Sequence, residues 1–271
     1  MTQQNSSGTA LVTGASSGIG AVYAQRLASR GYNLVLVARD VARLESAAAV
    51  LRARHGVTVD VMQADLSSKQ DLLLVELRLR TDEHITLLVN NAGMATDGTL
   101  AEGNLDQIDT MIALNVGALT RLASAAAAAF IARGRGIVVN IGSVVALAPE
   151  MFNASYSATK AYVLSLSESL HAEVSKHGVQ VQVVLPGVTR TEIWERSGRD
   201  PNSLPAQMIM EAGDLVDAAL AGMDAHELVT IPSLPNPADW RALAAARAKL
   251  GPNLSHNHPA ARYGLREAVL L

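Results

Sequence analysis

The chain alternates short runs rich in β-branched residues with helix-length segments, and this alternation is the strongest constraint on its fold. Several runs are almost continuously apolar, as expected of strands that helices cover on both faces. Strands that alternate with helices pair in parallel through right-handed crossovers. We therefore predict a single α/β domain over residues 1–271, with a doubly wound sheet of about seven parallel strands flanked by helices on both faces. The predicted strands span residues 9–13, 33–38, 57–62, 85–90, 136–141, 179–185 and 227–232.

Helices are predicted where apolar residues recur at helical spacing and the pattern stops at a glycine. These helices span residues 18–30, 41–55 and 164–177, and they end before Gly31, Gly56 and Gly178. The pattern weakens after Pro186. We expect a flexible N-terminus over residues 1–8, and a C-terminal extension over residues 232–271 that contains a helix over 238–250.

Composition excludes several classes of function. The net charge of −3 leaves no basic excess to hold a phosphate backbone, so we expect no nucleic-acid partner. The chain has no Cys, which excludes disulfides and thiolate chemistry. The N-terminus lacks the basic start and apolar stretch of a secretory signal, and the apolar stretch 122–132 is shorter than the roughly 20 residues that span a bilayer. We therefore expect a cytoplasmic protein with no membrane partner.

A glycine-rich turn, LVTGASSGIG, joins the first predicted strand to the first predicted helix. Gly14, Gly18 and Gly20 allow a tight turn and the close approach of a pyrophosphate, and the helix N-terminus offers free N–H groups. The spacing differs from the commonest dinucleotide fingerprint, G-x-G-x-x-G, and no Gly-Lys-Ser/Thr follows that would make a Walker loop. A glycine turn alone is weak evidence, but its position before the first helix favours a dinucleotide site.

Tyr156 and Lys160 lie four positions apart in YSATK, one turn apart on one face of a helix. A free tyrosine has a pKa of about 10, and a nearby cation lowers it. A phenol tuned in this way is an effective proton donor. The alternative is a surface Tyr–Lys pair without a function.

A series of short motifs follows the predicted strands in order: TGASSGIG, NNAG at residues 90–93, IGS ending at Ser143, YSATK, and the dipeptide Pro186–Gly187. In this combination the sequence resembles the short-chain dehydrogenase/reductase family, from about residue 9 to residue 191. The resemblance implies a Rossmann-type fold, a nicotinamide dinucleotide cofactor, and interconversion of a carbonyl and an alcohol.

The resemblance also implies a catalytic group of Asn115, Ser143, Tyr156 and Lys160. Tyr156 would exchange a proton with the substrate. Lys160 would tune the pKa of Tyr156 and reach the nicotinamide ribose. Ser143 would orient the substrate oxygen, and Asn115 would help to hold a water that links Lys160 to solvent. Asn115 could instead be a buried hydrogen-bonding residue without a catalytic role, and Ser143 could instead be a turn residue. The implied cofactor-binding residues are Gly14, Ser16, Ser17, Gly18, Ile19, Gly20, Arg39, Asp65, Leu66, Asn91, Ala92, Gly93, Tyr156, Lys160, Pro186, Gly187, Val188 and Thr191.

The end of the second strand bears on the choice of dinucleotide. An acidic residue there typically binds the ribose 2′-OH of NAD, whereas Ala38 and then Arg39 stand at this point. Arg39 favours NADP(H), because a guanidinium binds a 2′-phosphate with charge-assisted hydrogen bonds. NAD(H) stays open as the alternative, since Asp40 can either reach the ribose or cap the next helix. Asp65 likewise has a helix cap as its alternative role.

The sequence therefore predicts an NADP(H)-dependent oxidoreductase that interconverts a small-molecule ketone or aldehyde and the corresponding alcohol, with Tyr156 as general acid/base. The alternative is a non-catalytic NADP-binding sensor or subunit on the same fold. An epimerase or an enoyl reductase fits less well, because enoyl reductases of this superfamily tend to space the Tyr and Lys more widely.

Residues 189–212 are irregular and form the predicted substrate lid, which includes Trp194. The predicted apolar wall of the substrate cleft is drawn from Met94, Val144, Val145, Leu147, Met151 and Phe152. His256 and His258 lack a third ligand, so no metal is predicted. We expect a homo-oligomer, a tetramer or a dimer, with helices 119–133 and 163–177 as candidate interfaces.

Overall fold

A computed structural model describes residues 7–192 and 204–265 of the chain. They belong to two compact units, Met1–Pro232 and Ser233–Leu271. Residues 1–6 of the expected flexible N-terminus lie outside the described residues. So do residues 193–203 of the expected lid, with Trp194, and residues 266–271.

A parallel seven-stranded sheet forms the centre of the first unit. Its strands are β1 (Thr9–Thr13), β2 (Asn33–Ala38), β3 (Val59–Gln63), β4 (Ile85–Asn90), β5 (Gly136–Ile141), β6 (Val179–Val184) and β9 (Val229–Thr230). Two short strands, β7 (Thr189–Arg190) and β8 (Met210–Glu211), pair separately. The order in the main sheet is β3-β2-β1-β4-β5-β6-β9, so the chain reverses its direction of progress between β1 and β4. This topology confirms the predicted doubly wound α/β fold.

Helices cover both faces of the sheet. They are α1 (Gly18–Ser29), α2 (Val41–His55), α3 (Lys69–Thr81), α4 (Leu105–Ile112), α5 (Leu119–Arg133), α6 (Ala154–Val174) and α7 (Ala212–Asp224). Because side chains alternate along a strand, β1 contributes to both cores. Ala10 and Val12 pack in one core with α1, α2 and α7, and Leu11 packs in the other with α3, α5 and α6.

A π-helical segment, Ala113–Ala118, joins α4 and α5 into a continuous helix over Leu105–Arg133. Over the described residues, this is the one helix long and apolar enough to cross a membrane, with 29 residues and a mean hydropathy of 1.4. The length argument made for residues 122–132 therefore does not apply to the whole helix. Half of its apolar window is buried within the protein, as in a core helix, so it is weak evidence for a membrane span.

The second unit contains α8 (Pro237–Ala248). Pro237 occupies the first turn, where its missing N–H costs nothing, and the Asn236 side chain caps the helix by accepting from the Ala238 N–H. No residue of α8 is buried. Short 3₁₀ turns follow at Gly251–Asn253 and Ala261–Tyr263.

A buried chain of polar side chains links the centre of the sheet to α6. The Asn90 amide donates to Asn140 Oδ1 at 3.1 Å, and the Asn140 amide donates to Ser167 Oγ at 3.0 Å. Asn140 and Ser167 are fully buried, so these hydrogen bonds replace the water that folding removes.

We expect Asn140→Ala to lower the free energy of unfolding by about 1–3 kcal/mol, because it leaves partners on both sides without their hydrogen bond. Denaturant unfolding measures this change. The exposed Gln107→Ala serves as the control and should stay within about 0.5 kcal/mol of the parent protein. Equal stabilities for the two variants would contradict a stabilising role for the chain.

Candidate active site

A cavity of about 910 Å³ lies at the carboxyl ends of β1, β4, β5 and β6, beside the reversal of strand order. Open parallel sheets bind ligands at this point. Every predicted site residue lines the cavity except Gly20 and Asn115. The fold thus brings together residues that the sequence spreads from Gly14 to Thr191.

The glycine-rich loop turns tightly between β1 and α1. Gly14 has φ +65°, in the region that favours glycine. A Cβ atom on Gly20 would collide with the carbonyl oxygen of Gly14 and with the side-chain nitrogen of Asn91. The Ser17 side chain does not cap α1, so it leaves the first-turn N–H groups to other partners. The helix therefore presents the positive end of its dipole beside the cavity.

Thr13 fastens this loop to the NNAG turn. Its hydroxyl oxygen accepts the backbone N–H of Asn91 at 3.0 Å and that of Ala92 at 2.9 Å. The Asn91 amide in turn donates to the Thr13 carbonyl at 2.9 Å. Sequence reasoning missed Thr13, although a threonine that ends a buried apolar strand was the available signal.

Helix α6 carries Tyr156 and Lys160 on the face toward the end of β5. Asn153 starts the helix by accepting the Tyr156 N–H at 2.9 Å. The Lys160 amine donates to the Ile141 carbonyl at 3.0 Å and lies 5.6 Å from the centre of the Tyr156 ring. Both residues line the cavity, so they do not form a surface pair.

Burial controls the electrostatics of this pair. It raises the pKa of Tyr156 to about 12, although a hydrogen bond with Ser143 acts in the opposite direction. Burial also lowers the pKa of Lys160 from 10.5 to about 8. The sequence argument expected Lys160 to lower the pKa of Tyr156, and the protein groups alone do not produce this. Desolvation disfavours the charged form of each residue and is the largest cause of both shifts.

Ser143 stands at the end of β5. Its hydroxyl donates to the Pro186 carbonyl and accepts the Val145 N–H, both at 3.4 Å. These long bonds hold the hydroxyl in the turn between β5 and the next segment, beside Tyr156. Ser143 therefore combines the turn role with a position at the cavity.

Asn115 lies in the π-helical segment, a distortion often found at functional sites. Its Oδ1 accepts the Met94 N–H at 2.9 Å, and its Nδ2 donates to the Met94 carbonyl at 2.8 Å and to Thr159 Oγ1 at 3.2 Å. The side chain thus has the buried hydrogen-bonding role that the sequence left as the alternative.

The cavity wall near the end of β2 carries Arg39, Asp40 and Asp65. Asp40 caps α2 by accepting the Arg43 N–H at 3.0 Å. Asp65 Oδ1 accepts the backbone N–H and the hydroxyl of Ser67. Burial would raise the pKa of Asp65, but the Ser67 hydrogen bonds and the Arg39 charge outweigh it and lower the pKa. The Arg39 guanidinium makes no ion pair or hydrogen bond with the described residues.

The opposite part of the cavity is apolar. Its hydrophobic lining includes Met94, Leu114, Val144, Val145, Met151, Phe152, Leu204 and Met208. Leu147, which was expected in this wall, does not line the cavity. Leu114, in the π-helical segment, was missed. Leu204 and Met208 belong to residues 189–212, which the sequence predicted as the substrate lid.

Comparison with known proteins identifies the family. The model of the short chain dehydrogenase family matches residues 8–202. The chain belongs to this family. The resemblance inferred from the motifs is therefore confirmed, and with it the oxidoreductase class.

Solved structures match this family member over almost its whole length. A short-chain dehydrogenase from Sphingobium yanoikuyae, in complex with NADPH, is 53% identical with a TM-score of 0.92, and the match covers 94% of this chain and 99% of that one. The bulky-bulky ketone specific alcohol dehydrogenase from Comamonas testosteroni is 49% identical with a TM-score of 0.87, over 94% of this chain and 98% of that one. An uncharacterized oxidoreductase of Staphylococcus epidermidis is 32% identical over 205 residues, which is 75% of this chain and 87% of the relative.

Within residues 7–192 and 204–265, no group of three or more His, Asp or Glu side chains is arranged to hold a metal ion. The His256 and His258 rings lie 6.0 Å apart, and each has an asparagine side chain as its hydrogen-bond partner.

The buried amine of Lys160 should cost stability at neutral pH. We expect Lys160→Met to raise the free energy of unfolding at pH 7 by up to about 3 kcal/mol, because it removes the penalty that lowers the pKa of Lys160 from 10.5 to about 8. The folded pKa lies below the unfolded one, so the penalty is complete below pH 8 and is lost as the pH rises past 10.5. The gain in the variant should shrink over that window.

Denaturant unfolding of both proteins between pH 7 and pH 10.5 measures this difference. Lys176→Met, at an exposed position just after α6, controls for the change of residue type. A stability difference that does not change with pH would show that the buried amine carries no penalty.

Proposed function

We propose that this protein is an NADP(H)-dependent oxidoreductase that interconverts a ketone or aldehyde and the corresponding alcohol, with Tyr156 as general acid/base. The observation that carries the proposal is the meeting of Tyr156, Ser143 and Lys160 at one cavity with the glycine-rich loop and Arg39. A nicotinamide dinucleotide supplies the hydride chemistry when it is bound. The protein supplies placement, electrostatics and the proton.

The residues fit a dinucleotide. The first turn of α1 and the glycine-rich loop line the cavity and would hold the pyrophosphate, since the helix end is positive. Asp65 and Asn91 line the same cavity and would contact the adenosine. Pro186, Gly187, Val188 and Thr191 line it from the β6 side and would contact the nicotinamide amide and the phosphates.

Tyr156 would carry the proton that a carbonyl oxygen receives on reduction. A pKa of about 12 keeps its hydroxyl protonated at neutral pH, which is the form that reduction of a carbonyl needs. Ser143, which is hydrogen-bonded to Tyr156, would donate to the same substrate oxygen as negative charge develops on it. In the oxidation of an alcohol, Tyr156 would act as the phenolate and accept the proton of the substrate hydroxyl, and Lys160 would stabilise this phenolate before the transfer.

The charges at the end of β2 support NADP(H) over NAD(H). Arg39 is exposed at the cavity and keeps its guanidinium for a 2′-phosphate. The Asp40 carboxylate caps α2, which leaves it less able to bind a ribose 2′-OH. A neighbouring structure in complex with NADPH, at 53% identity, adds support.

A bulky, uncharged ketone fits the apolar part of the cavity best. Met94, Leu114, Val145, Phe152 and Met208 offer hydrophobic surface and no charge to a substrate. The bulky-bulky ketone specific alcohol dehydrogenase among the similar structures supports the same substrate class.

We further propose a cytoplasmic homo-oligomer, a dimer or a tetramer, with no nucleic-acid or membrane partner. Support for association comes from the exposed apolar side chains of Leu105 and Ile112 on α4, and of Tyr162 on α6.

Removal of the proton donor tests the proposal. We expect Tyr156→Phe to lower kcat for NADPH-dependent ketone reduction by about 10²- to 10⁴-fold, while NADPH still binds. The assay is a panel of ketones and aldehydes, with NADPH and NADH in parallel, and fluorescence titration for cofactor binding. Tyr162→Phe changes an exposed tyrosine of the same helix and is the matched control. If the parent protein binds NADPH but reduces no carbonyl, the proposal of an enzyme is wrong and the alternative, a non-catalytic NADP-binding sensor or subunit, takes its place.

Removal of the Arg39 charge tests the cofactor preference. We expect Arg39→Gln to weaken NADPH binding by roughly 10- to 100-fold and to leave NADH binding nearly unchanged, because only the 2′-phosphate loses a charge-assisted partner. Arg54→Gln, at an exposed position near the other end of α2, is the control. Equal losses for both cofactors would rule out recognition of the 2′-phosphate by Arg39.

A further inference from the structure

Asn153 uses both ends of its side-chain amide. Its Oδ1 accepts the backbone N–H of Tyr156 at 2.9 Å, which starts α6. Its Nδ2 donates to the backbone carbonyl of Thr96 at 2.7 Å. One side chain therefore joins the first turn of the helix that carries Tyr156 and Lys160 to the segment that follows NNAG.

A second asparagine holds the same segment. Asn115 binds both the N–H and the carbonyl of Met94, and it also donates to Thr159 Oγ1. Thr159 in turn donates to the carbonyl of Tyr156 at 2.8 Å. The N–H of Tyr156 is thus tied to Thr96 through Asn153, and its carbonyl is tied to Met94 through Thr159 and Asn115.

The segment that receives these bonds is itself well anchored. The Thr96 side chain is 5% exposed and lies 4.0 Å from Met111 Sδ. Met94 lines the apolar part of the cavity. A displacement of α6 relative to this segment would therefore move Tyr156 against the substrate wall and against Ser143.

We propose that Asn153 is a positioning residue, which sets the place of the Tyr156 hydroxyl by coupling the start of α6 to residues 94–96. The inference rests on the proposed function, because it assigns Asn153 a part in proton transfer. An ordinary N-cap would only stabilise the helix, whereas the Thr96 bond has no use in capping. The amide nitrogen, rather than the capping oxygen, is therefore the part to test.

Asn153→Asp and Asn153→Ser separate the two bonds. Both replacements keep an oxygen that accepts the Tyr156 N–H, since Asp and Ser are good N-caps. An ionised Asp has no donor for the Thr96 carbonyl, and Ser offers one polar atom in place of the two with which the amide binds both partners. The Ser variant adds no charge, so it distinguishes lost positioning from repulsion by a carboxylate. Asn104→Asp is the matched control, because Asn104 caps α4 by accepting the Gln107 N–H.

We expect both Asn153 variants to lower kcat for ketone reduction by roughly 10- to 100-fold, since small misplacements of a reacting group have costs of this size. The Kd for NADPH and the KM for the ketone should stay within about threefold. The kinetic isotope effect with 4-deuterated NADPH should rise, because the chemical step becomes slower than product release. Asn104→Asp should change none of these quantities, and thermal unfolding should show all variants folded.

Normal kcat and isotope effect in both Asn153 variants would overturn the inference. So would a fall in kcat that Asn104→Asp matches, or one that is accompanied by an equal loss of NADPH binding. These results differ from failure of the proposed function, in which the parent protein itself transfers no hydride to any ketone.

Discussion

The reversal of strand order between β1 and β4 is the constraint on which the site depends. The connections leave these neighbouring strands in opposite directions, so a crevice opens at their carboxyl ends. Thr13 and Asn91 then fix the distance across it with hydrogen bonds of 2.9 and 3.0 Å. Without those bonds, the glycine-rich loop on β1 and the NNAG turn on β4 would be separate loops. With those bonds, the glycine-rich loop and the NNAG turn form one continuous surface at the cavity.

The same crevice explains why Lys160 is costly to the fold at neutral pH. Burial disfavours the charged form of both Tyr156 and Lys160, but at neutral pH only the Lys160 amine is charged. The protein offsets part of this cost with the hydrogen bond of 3.0 Å from the Lys160 amine to the Ile141 carbonyl. A site of this kind is assembled at the expense of stability and is held in place by the packed helices around it.

Much of the fold could be predicted from local patterns. The observed β1, β2, β4 and β5 match the predicted strands, and α2 ends where Gly56 predicted. The glycine-rich loop was visible because its glycines are close in sequence. The partners of Asn115, Met94 and Thr159, could not be predicted, because these hydrogen bonds join segments that lie far apart in the sequence. The direction of the pKa of Tyr156 also escaped prediction, since desolvation depends on tertiary packing and not on the spacing of Tyr and Lys.

Residues that cap the starts of helices contribute to the candidate site in addition to the glycine-rich loop. At α2, the Asp40 carboxylate caps the helix by accepting the Arg43 N–H. At α6, Asn153 gives the helix an acceptor and keeps a donor for Thr96. The difference is chemical: a carboxylate can only accept, whereas an amide can cap a helix and still bind a carbonyl elsewhere. An asparagine at the start of the helix that carries Tyr156 can therefore couple two backbone segments, which an aspartate in its place could not.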